Sequence, residues 1–151
     1  MTEKRLYGKL TQAQFEAFLS QPILGRISTA VPSKAEPDYF QPHTTPVWFV
    51  WENDCLYISA FTSTRKVKEV RRNPYIAVLI DVMEAVEGVS AVLLEGKSEW
   101  IYEPKFVQEM SRKIYVKYMG EEGAQAEEPR SWTVDVENSI IKLSPSAIYT
   151  W

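Results

Sequence analysis

A hydroxyl side chain and two cations stand side by side where the sequence predicts the beginning of a helix. Thr64, Arg65 and Lys66 follow Ser63, at the start of a helix that we predict over Ser63–Arg72. Backbone N–H groups at a helix start attract anions, and the two cations add full positive charges. These residues therefore predict a binding site for a phosphate group. The basic residues further along the helix are expected to form its solvated face.

Two apolar strands are predicted immediately before this helix. The first covers Thr44–Trp51, and after a turn at Glu52–Asp54 the second returns antiparallel over Cys55–Phe61. The first strand is apolar on both faces, which are Val47, Phe49 and Trp51 on one side and Trp48 and Val50 on the other. Such a strand needs a barrel interior on one side and a helix, a partner subunit or a ligand on the other. We therefore expect a phosphorylated cofactor that lies against a β-barrel.

The composition limits the classes of protein to which the chain can belong. It has 151 residues, 45% of them hydrophobic and 25% charged, which is typical of one globular domain, predicted here over residues 1–151. The net charge of −3 argues against a nucleic-acid partner, because nucleic-acid binding needs a broad cationic surface. No signal peptide and no apolar run long enough to span a bilayer is visible, so we expect a cytoplasmic protein without a membrane partner.

Residues for acid–base, nucleophilic or metal chemistry are scarce. The single cysteine, Cys55, excludes an internal disulfide and is expected to be a small buried thiol. The single histidine, His43, leaves no histidine cluster for a metal. Because no carboxylate partner for His43 is visible, we expect a loop residue and not a catalytic acid or base. The sequence identifies no catalytic residue and predicts no metal site.

The rest of the chain predicts a small, mostly antiparallel barrel of about seven strands with two or three helices. A capping box at Thr11 starts a first helix, and residues repeating every four positions after Glu103 predict another. Further strands are predicted over Leu24–Val31, Ile76–Val82, Ala91–Tyr102 (with a bulge or close approach at Gly96), Trp132–Glu137 and Ile140–Trp151. Loops are predicted over Pro32–Pro42, Met83–Ser90 and Gly120–Pro129.

Several blocks in this order resemble a known family. GRISTA, then TTPVWFVWENDCLYISA, then the STRK helix ending in NP, and then AVLLEGKSEW are similar to the pyridoxamine 5′-phosphate oxidase-like FMN-binding split-barrel family. The resemblance covers most of the chain from Leu24 to Trp151 and is weakest between Pro104 and Arg130. It implies a mainly β fold, a six-stranded antiparallel split β-barrel with flanking helices. It also implies a homodimer with FMN bound at the subunit interface.

The family resemblance also implies which residues hold the cofactor. The phosphate is expected at Ser63, Thr64, Arg65 and Lys66. The flavin ring is expected against the backbones of the two apolar strands, at Thr45, Pro46, Val47, Trp48, Ser59 and Ala60. A P-x-x-I pattern at Pro145–Ile148 matches the one that precedes a flavin-contacting tryptophan in the oxidase, which implies the same role for Trp151.

The chain also departs from the oxidase at the substrate end of the site. The substrate-binding Arg and His of the oxidase lie beyond the position at which this sequence stops, and the basic residues of its second strand have no counterpart in TTPVWFV. A glutamine of the family is replaced by Ala91. We therefore expect an FMN-dependent oxidoreductase other than the oxidase itself, acting on an unidentified small molecule. The alternatives are a deazaflavin-dependent reductase and a non-catalytic flavin- or haem-binding stress protein on the same fold.

Overall fold

The computed structural model describes residues 7–151, and these form seven strands and four helices. In chain order they are α1 Gln12–Leu19, β1 Gly25–Pro32, β2 Phe40–Val47, β3 Phe49–Glu52, β4 Cys55–Phe61, α2 Arg65–Arg72, β5 Tyr75–Val86, β6 Val89–Ile101, α3 Pro104–Gln125, α4 Glu127–Val134 and β7 Asn138–Thr150. The predicted capping box at Thr11 is confirmed, because Thr11 and Gln14 bond to each other's backbone N–H groups. None of these helices combines the length and the apolar character needed to cross a membrane.

All strand pairs are antiparallel, in the order β2-β1-β5-β6-β7-β4-β3. The two outermost strands, β2 and β3, are separated by the single residue Trp48, so one segment closes the sheet into a barrel. The seven strands confirm the count of about seven predicted from the sequence pattern, whereas the six implied by the family resemblance is one too few. The strand predicted over Thr44–Trp51 is interrupted at Trp48, and its halves pair with β1 and β4 respectively.

The interruption has a visible cause in the hydrogen bonds around it. The N–H of Phe49 donates to the hydroxyl of Tyr118 on α3, at 3.3 Å, and that hydroxyl donates to the carbonyl of Ile23, at 2.7 Å. The prediction of two apolar faces is confirmed: Val47, Phe49 and Trp51 pack in the barrel core. Trp48 and Val50 pack in a second apolar cluster beneath α3.

The region before β7 differs from the sequence prediction. The strand predicted over Trp132–Glu137 is wrong, because α4 covers its first three residues and β7 begins only at Asn138. The loop predicted over Gly120–Pro129 is wrong, because α3 extends to Gln125. The Thr-Val-Asp-Val alternation suggested a strand. The ring of Trp132 instead packs edge-on against Tyr115, with centroids 5.8 Å apart, and this long-range contact fixes a helix.

Two other predicted loops are shorter than expected. The strand β5 continues to Val86, and β6 begins at Val89. The predicted loop over Met83–Ser90 is therefore reduced to a two-residue turn, with positive φ at Glu87 and Gly88. The strand β2 begins at Phe40, inside the predicted loop over Pro32–Pro42. At Gly96 the predicted irregularity is confirmed by a shift in the β6–β7 register. A Cβ there would lie 2.9 Å from the carbonyl oxygen of Ser144.

A buried lysine ties three elements together beside the interrupted strand. The ammonium group of Lys117 on α3 donates to the carbonyls of Leu19, at 2.7 Å, and Phe49, at 3.0 Å. It also lies 3.7 Å from the centre of the Phe49 ring. Burial lowers the pKa of Lys117 from its ordinary value to about 7. Lys117 thereby joins the ends of α1 and β3 to α3.

The lowered pKa of Lys117 predicts a pH dependence of stability. The unfolded chain keeps its ordinary lysine pKa, so above pH 7 the folded state releases a proton that the unfolded state still holds. The free energy of unfolding, relative to that of Lys117→Met, should therefore rise with pH between about 7 and 10, by at most about 1.4 kcal/mol per pH unit. Urea titrations at several pH values measure this slope. The exposed neighbour variant Lys113→Met should leave it unchanged, and a flat or falling slope would contradict the assignment.

Candidate functional site

A cavity of about 330 Å³ opens between the end of β2, the end of β4 and the first turn of α2. It is lined by Leu24, Pro46, Val47, Trp48, Ser59, Ala60, Phe61, Lys66 and Tyr115. Six of these residues are among those named from the sequence: Pro46, Val47, Trp48, Ser59, Ala60 and Lys66. The fold brings them together because β3 leads directly into the hairpin with β4, and β4 leads into α2.

Aromatic rings form one wall of this cavity. The indole of Trp48 stacks on the ring of Tyr118 with centroids 4.8 Å apart and planes 4° from parallel. Tyr115 meets the same indole edge-on, with centroids 6.3 Å apart. Both tyrosines belong to α3, which packs across β3 and β4. The wall therefore presents flat, rigid surfaces of the kind that bind a planar ring.

A polar network adjoins the aromatic wall and shares Tyr115 with it. The hydroxyl of Ser59 donates to Asn138 Oδ1, at 3.0 Å, and lies 3.3 Å from the hydroxyl of Tyr115. The amide of Asn138 in turn donates to the hydroxyl of Ser111, at 2.9 Å. Burial raises the pKa of Tyr115, so its hydroxyl stays protonated at neutral pH. The sequence did not identify Tyr115 or Asn138, because both reach Ser59 only through tertiary packing.

Among the described residues, Lys66 is the one cation in the lining of this cavity. It is half-buried, and within residues 7–151 its ammonium group forms neither a salt bridge nor a hydrogen bond. Burial alone lowers its pKa. A cation that has lost water without gaining a partner carries an unfavourable desolvation energy, which a bound anion would offset.

The first turn of α2 also has free donors. Thr64 occupies the N-cap position, but its hydroxyl donates backwards to the carbonyl of Phe61, at 2.6 Å, and no side chain caps the helix. The first backbone N–H groups of α2 are thus available to a ligand beside Lys66. Ser63 is exposed and does not line the cavity.

Arg65 lies apart from Lys66 in the structure. Its Nε donates to Glu69 Oε1, at 2.6 Å, and its side chain is 56% exposed. It lines a second cavity, on the outer side of α2, and not the one that contains Lys66. The phosphate-binding group expected from the sequence is therefore divided between two neighbouring cavities.

A buried carboxylate organises the residues around Arg65. Glu69 accepts hydrogen bonds from Arg65 and from the hydroxyl of Thr29, and its Oε2 lies 3.3 Å from His43 Nδ1. Burial would raise the pKa of Glu69, but the bonds from Thr29 and Arg65 and the nearby charges outweigh it and lower the pKa. His43 belongs to β2 and has a carboxylate neighbour, so the expectation of a loop residue without one is wrong. The four-residue spacing of Arg65 and Glu69 on a predicted helix was the signal in the sequence that these two side chains interact.

The other two predicted cofactor residues lie outside the cavity lining. The hydroxyl of Thr45 is buried and has no hydrogen-bond partner in the described part of the chain. It is adjacent to Pro46, so it is a candidate polar contact at the edge of the site. Trp151 follows the last residue of β7, whereas the start of that strand lies beside the cavity, where Ile140 pairs with Ser59. Trp151 is therefore at the opposite end of β7 from the cavity of its own chain. Its side chain is 61% exposed, although its backbone pairs with Ala91 of β6.

Among solved structures, three relatives show how widely this fold recurs. A conserved hypothetical protein from Mycobacterium tuberculosis has a TM-score of 0.78 and 17% identity, covering 99% of this chain and 89% of that one. An F420 reductase has a TM-score of 0.68 and 21% identity, covering 89% and 94% respectively. A FAD-binding protein from Mesorhizobium loti has a TM-score of 0.60 and 14% identity, covering 92% of each chain. At such identities the likeness establishes a shared fold.

The sequence comparison identifies the family. No curated protein matches the chain. A family profile described as pyridoxamine 5′-phosphate oxidase matches residues 11–151, which is nearly the full length. This match confirms the resemblance seen in the separate sequence blocks. The chain therefore belongs to the pyridoxamine 5′-phosphate oxidase family, with that family's mainly β split barrel.

Proposed function

We propose that the protein is a flavin-binding oxidoreductase, with FMN as the first candidate cofactor. The observation that carries the proposal is Lys66, an unpaired and half-buried cation at an uncapped helix start, inside a cavity with an aromatic wall. A ligand that combines a planar ring with a phosphate satisfies both halves of this site. The ring would contact Trp48 and the backbone of Pro46 and Val47, and the phosphate would bind Lys66 and the α2 N–H groups.

The chemistry of the lining also fits a bound redox cofactor. Within the described part of the chain, the cavity lining includes no carboxylate, histidine or cysteine, and no cluster of residues could hold a metal ion. A flavin would supply the hydride or electron transfer, while this chain binds it, orients it and excludes water. Tyr115 and Ser59 are the protic side chains nearest to where a substrate would meet the ring. We assign no further catalytic role to the chain's own residues.

We further propose that the functional unit is a homodimer that completes the site. The outer face of the sheet carries an apolar row that runs across three neighbouring strands through Leu79, Leu93 and Tyr149. Its members are half-buried or exposed in one chain, which is typical of an interface. The exposed Trp151 follows Tyr149 at the margin of this face and would reach the partner's cavity. The cavity of one chain has a volume of about 330 Å³, which is near the lower limit for a cofactor site. This small volume supports the proposal that the partner subunit supplies a second wall.

A deazaflavin coenzyme is the second candidate cofactor. Its support is the fold shared with an F420 reductase, because F420 is a deazaflavin whose ring and first phosphate match those of FMN in shape. The same cavity and the same Lys66 would hold either cofactor. The FAD-binding neighbour shows that the fold also accommodates a longer flavin.

Removing the ammonium group of Lys66 should weaken FMN binding selectively. We expect Lys66→Ala to raise the Kd for FMN about 10- to 100-fold, because one charge-assisted contact to phosphate is lost. The Kd for riboflavin, which lacks the phosphate, should not change. Quenching of flavin fluorescence measures both constants. The matched control Lys68→Ala removes an exposed lysine from the same helix and should change the FMN Kd by less than about threefold.

Two results would contradict this assignment. Unaltered FMN affinity in Lys66→Ala would show that the phosphate binds elsewhere. A wild-type protein that stays colourless after soaking in FMN or the deazaflavin coenzyme would overturn the cofactor proposal itself. A flavin-loaded protein that binds tightly but never oxidises NADPH in the presence of small organic oxidants would instead be a non-catalytic carrier.

The dimer is tested by placing a charge in the apolar row. Leu93→Arg should convert the protein to a monomer in size-exclusion chromatography with light scattering, because an unpaired guanidinium cannot be buried at the interface. FMN affinity should fall at least about tenfold, since the partner's wall is lost. Val136→Arg, at a position that is 95% exposed and outside the sheet, is the matched control and should leave both properties unaltered. A monomeric wild type would refute the dimer.

A further inference from the structure

We propose that the cationic groove on the outer side of α2 binds an anionic tail of the cofactor, beyond its first phosphate. The groove is the second cavity, of about 590 Å³, and it lies between α2 and the hairpin of β1 and β2. Its cations are Lys34, Arg65, Lys68 and Arg72. The inference rests on the proposed flavin site and specifies which class of flavin-type cofactor that site would hold.

The groove is positively charged, whereas the protein as a whole carries a net negative charge. Lys34, Lys68 and Arg72 form no salt bridge within the described residues, although the net charge of the protein is −3. The only acid among the lining residues that the structure describes is Glu69, and Arg65, Thr29 and His43 already surround its carboxylate. The other cations are therefore free to attract an anion.

The cations come from two sides of the groove. Arg65, Lys68 and Arg72 recur at helical spacing on one face of α2 and span about 10 Å along its axis. Lys34 faces them from the β1–β2 connection, which is closed by a 2.8 Å bond from Ser33 N–H to the carbonyl of Tyr39. The acids of the same connection, Glu36 and Asp38, do not line the groove. The arrangement fits an extended ligand with more than one negative charge.

The groove and the proposed phosphate site are lined by neighbouring residues of α2. Lys66 lines the aromatic cavity, and its neighbour Arg65 lines the groove. Glu69 holds Arg65 through Nε, which leaves the two terminal nitrogens of the guanidinium available for a ligand. A cofactor with its ring at Trp48 and its first phosphate at Lys66 would thus carry its next anionic group to Arg65, and from there along α2.

The chemistry identifies the tail as a pyrophosphate or a chain of carboxylates. FMN ends at its single phosphate and would leave Lys34, Lys68 and Arg72 without a contact. A flavin or deazaflavin with a longer anionic side chain would contact them. FAD carries a pyrophosphate and therefore serves as the probe, together with its 5-deaza counterpart.

The test compares riboflavin, FMN and FAD, each also in its 5-deaza form, by fluorescence titration. We expect FAD to bind about tenfold more tightly than FMN at low salt, and this preference to fall steeply with ionic strength. In the variant Lys34→Ala/Lys68→Ala/Arg72→Ala the preference for FAD should fall to less than about threefold, because only Arg65 remains to hold the second phosphate. The affinity for FMN itself should stay within about threefold of the wild-type value, because its phosphate remains at Lys66.

The control variant is Lys9→Ala/Lys105→Ala/Arg112→Ala, which removes the same number and types of exposed cations outside the groove. It should retain the wild-type preference for FAD. Equal affinities for FMN and FAD in the wild type, or a preference that survives in the groove variant, would overturn the groove while leaving the Lys66 site intact. Failure of the protein to bind any of the six compounds would overturn the flavin site and the groove together.

Discussion

The closure of the barrel at Trp48 is the constraint on which the site depends. At this residue the chain leaves the edge formed by β2 and joins the opposite edge formed by β3, so its backbone cannot continue one ladder. Tyr118 replaces the missing strand partner by accepting from Phe49 N–H, and its ring stacks on Trp48. The same contact therefore closes the sheet, anchors α3 and builds the aromatic wall. A change that loosens it should affect the fold and the cavity together.

Two polar groups at or beside the cavity are withdrawn from water without a partner in the described part of the chain. Lys66 is partly desolvated without a partner, and the buried hydroxyl of Thr45 has none in the described residues. Lys66 lines the cavity, and Thr45 is adjacent to Pro46, which also lines it. Glu69 is equally polar and more deeply buried, but hydrogen-bond donors surround its carboxylate. A ligand that bonded to these two groups would offset the unfavourable free energy of their burial.

Local patterns predicted most of the fold and about half of the candidate site. Alternating residues located the strands, and the order of β3, β4 and α2 along the chain already placed Trp48, Ser59 and Lys66 near each other. Contacts between distant segments could not be read in this way. His43 and Glu69 meet only because α2 packs on the β1–β2 hairpin, and the Trp132 helix depends on the ring of Tyr115. Local alternation had no information about either contact.

The division of Arg65 from Lys66 follows from helix geometry. Successive residues of a helix point about 100° apart, so two adjacent cations cannot both face one narrow cavity. Glu69, one turn later, fixes Arg65 on the outer side, and Thr29 and His43 fix Glu69. The two members of the basic pair thus line different cavities. Substitutions on the outer face of α2 could change the preferred length of a cofactor while the barrel and the ring-binding wall stay the same.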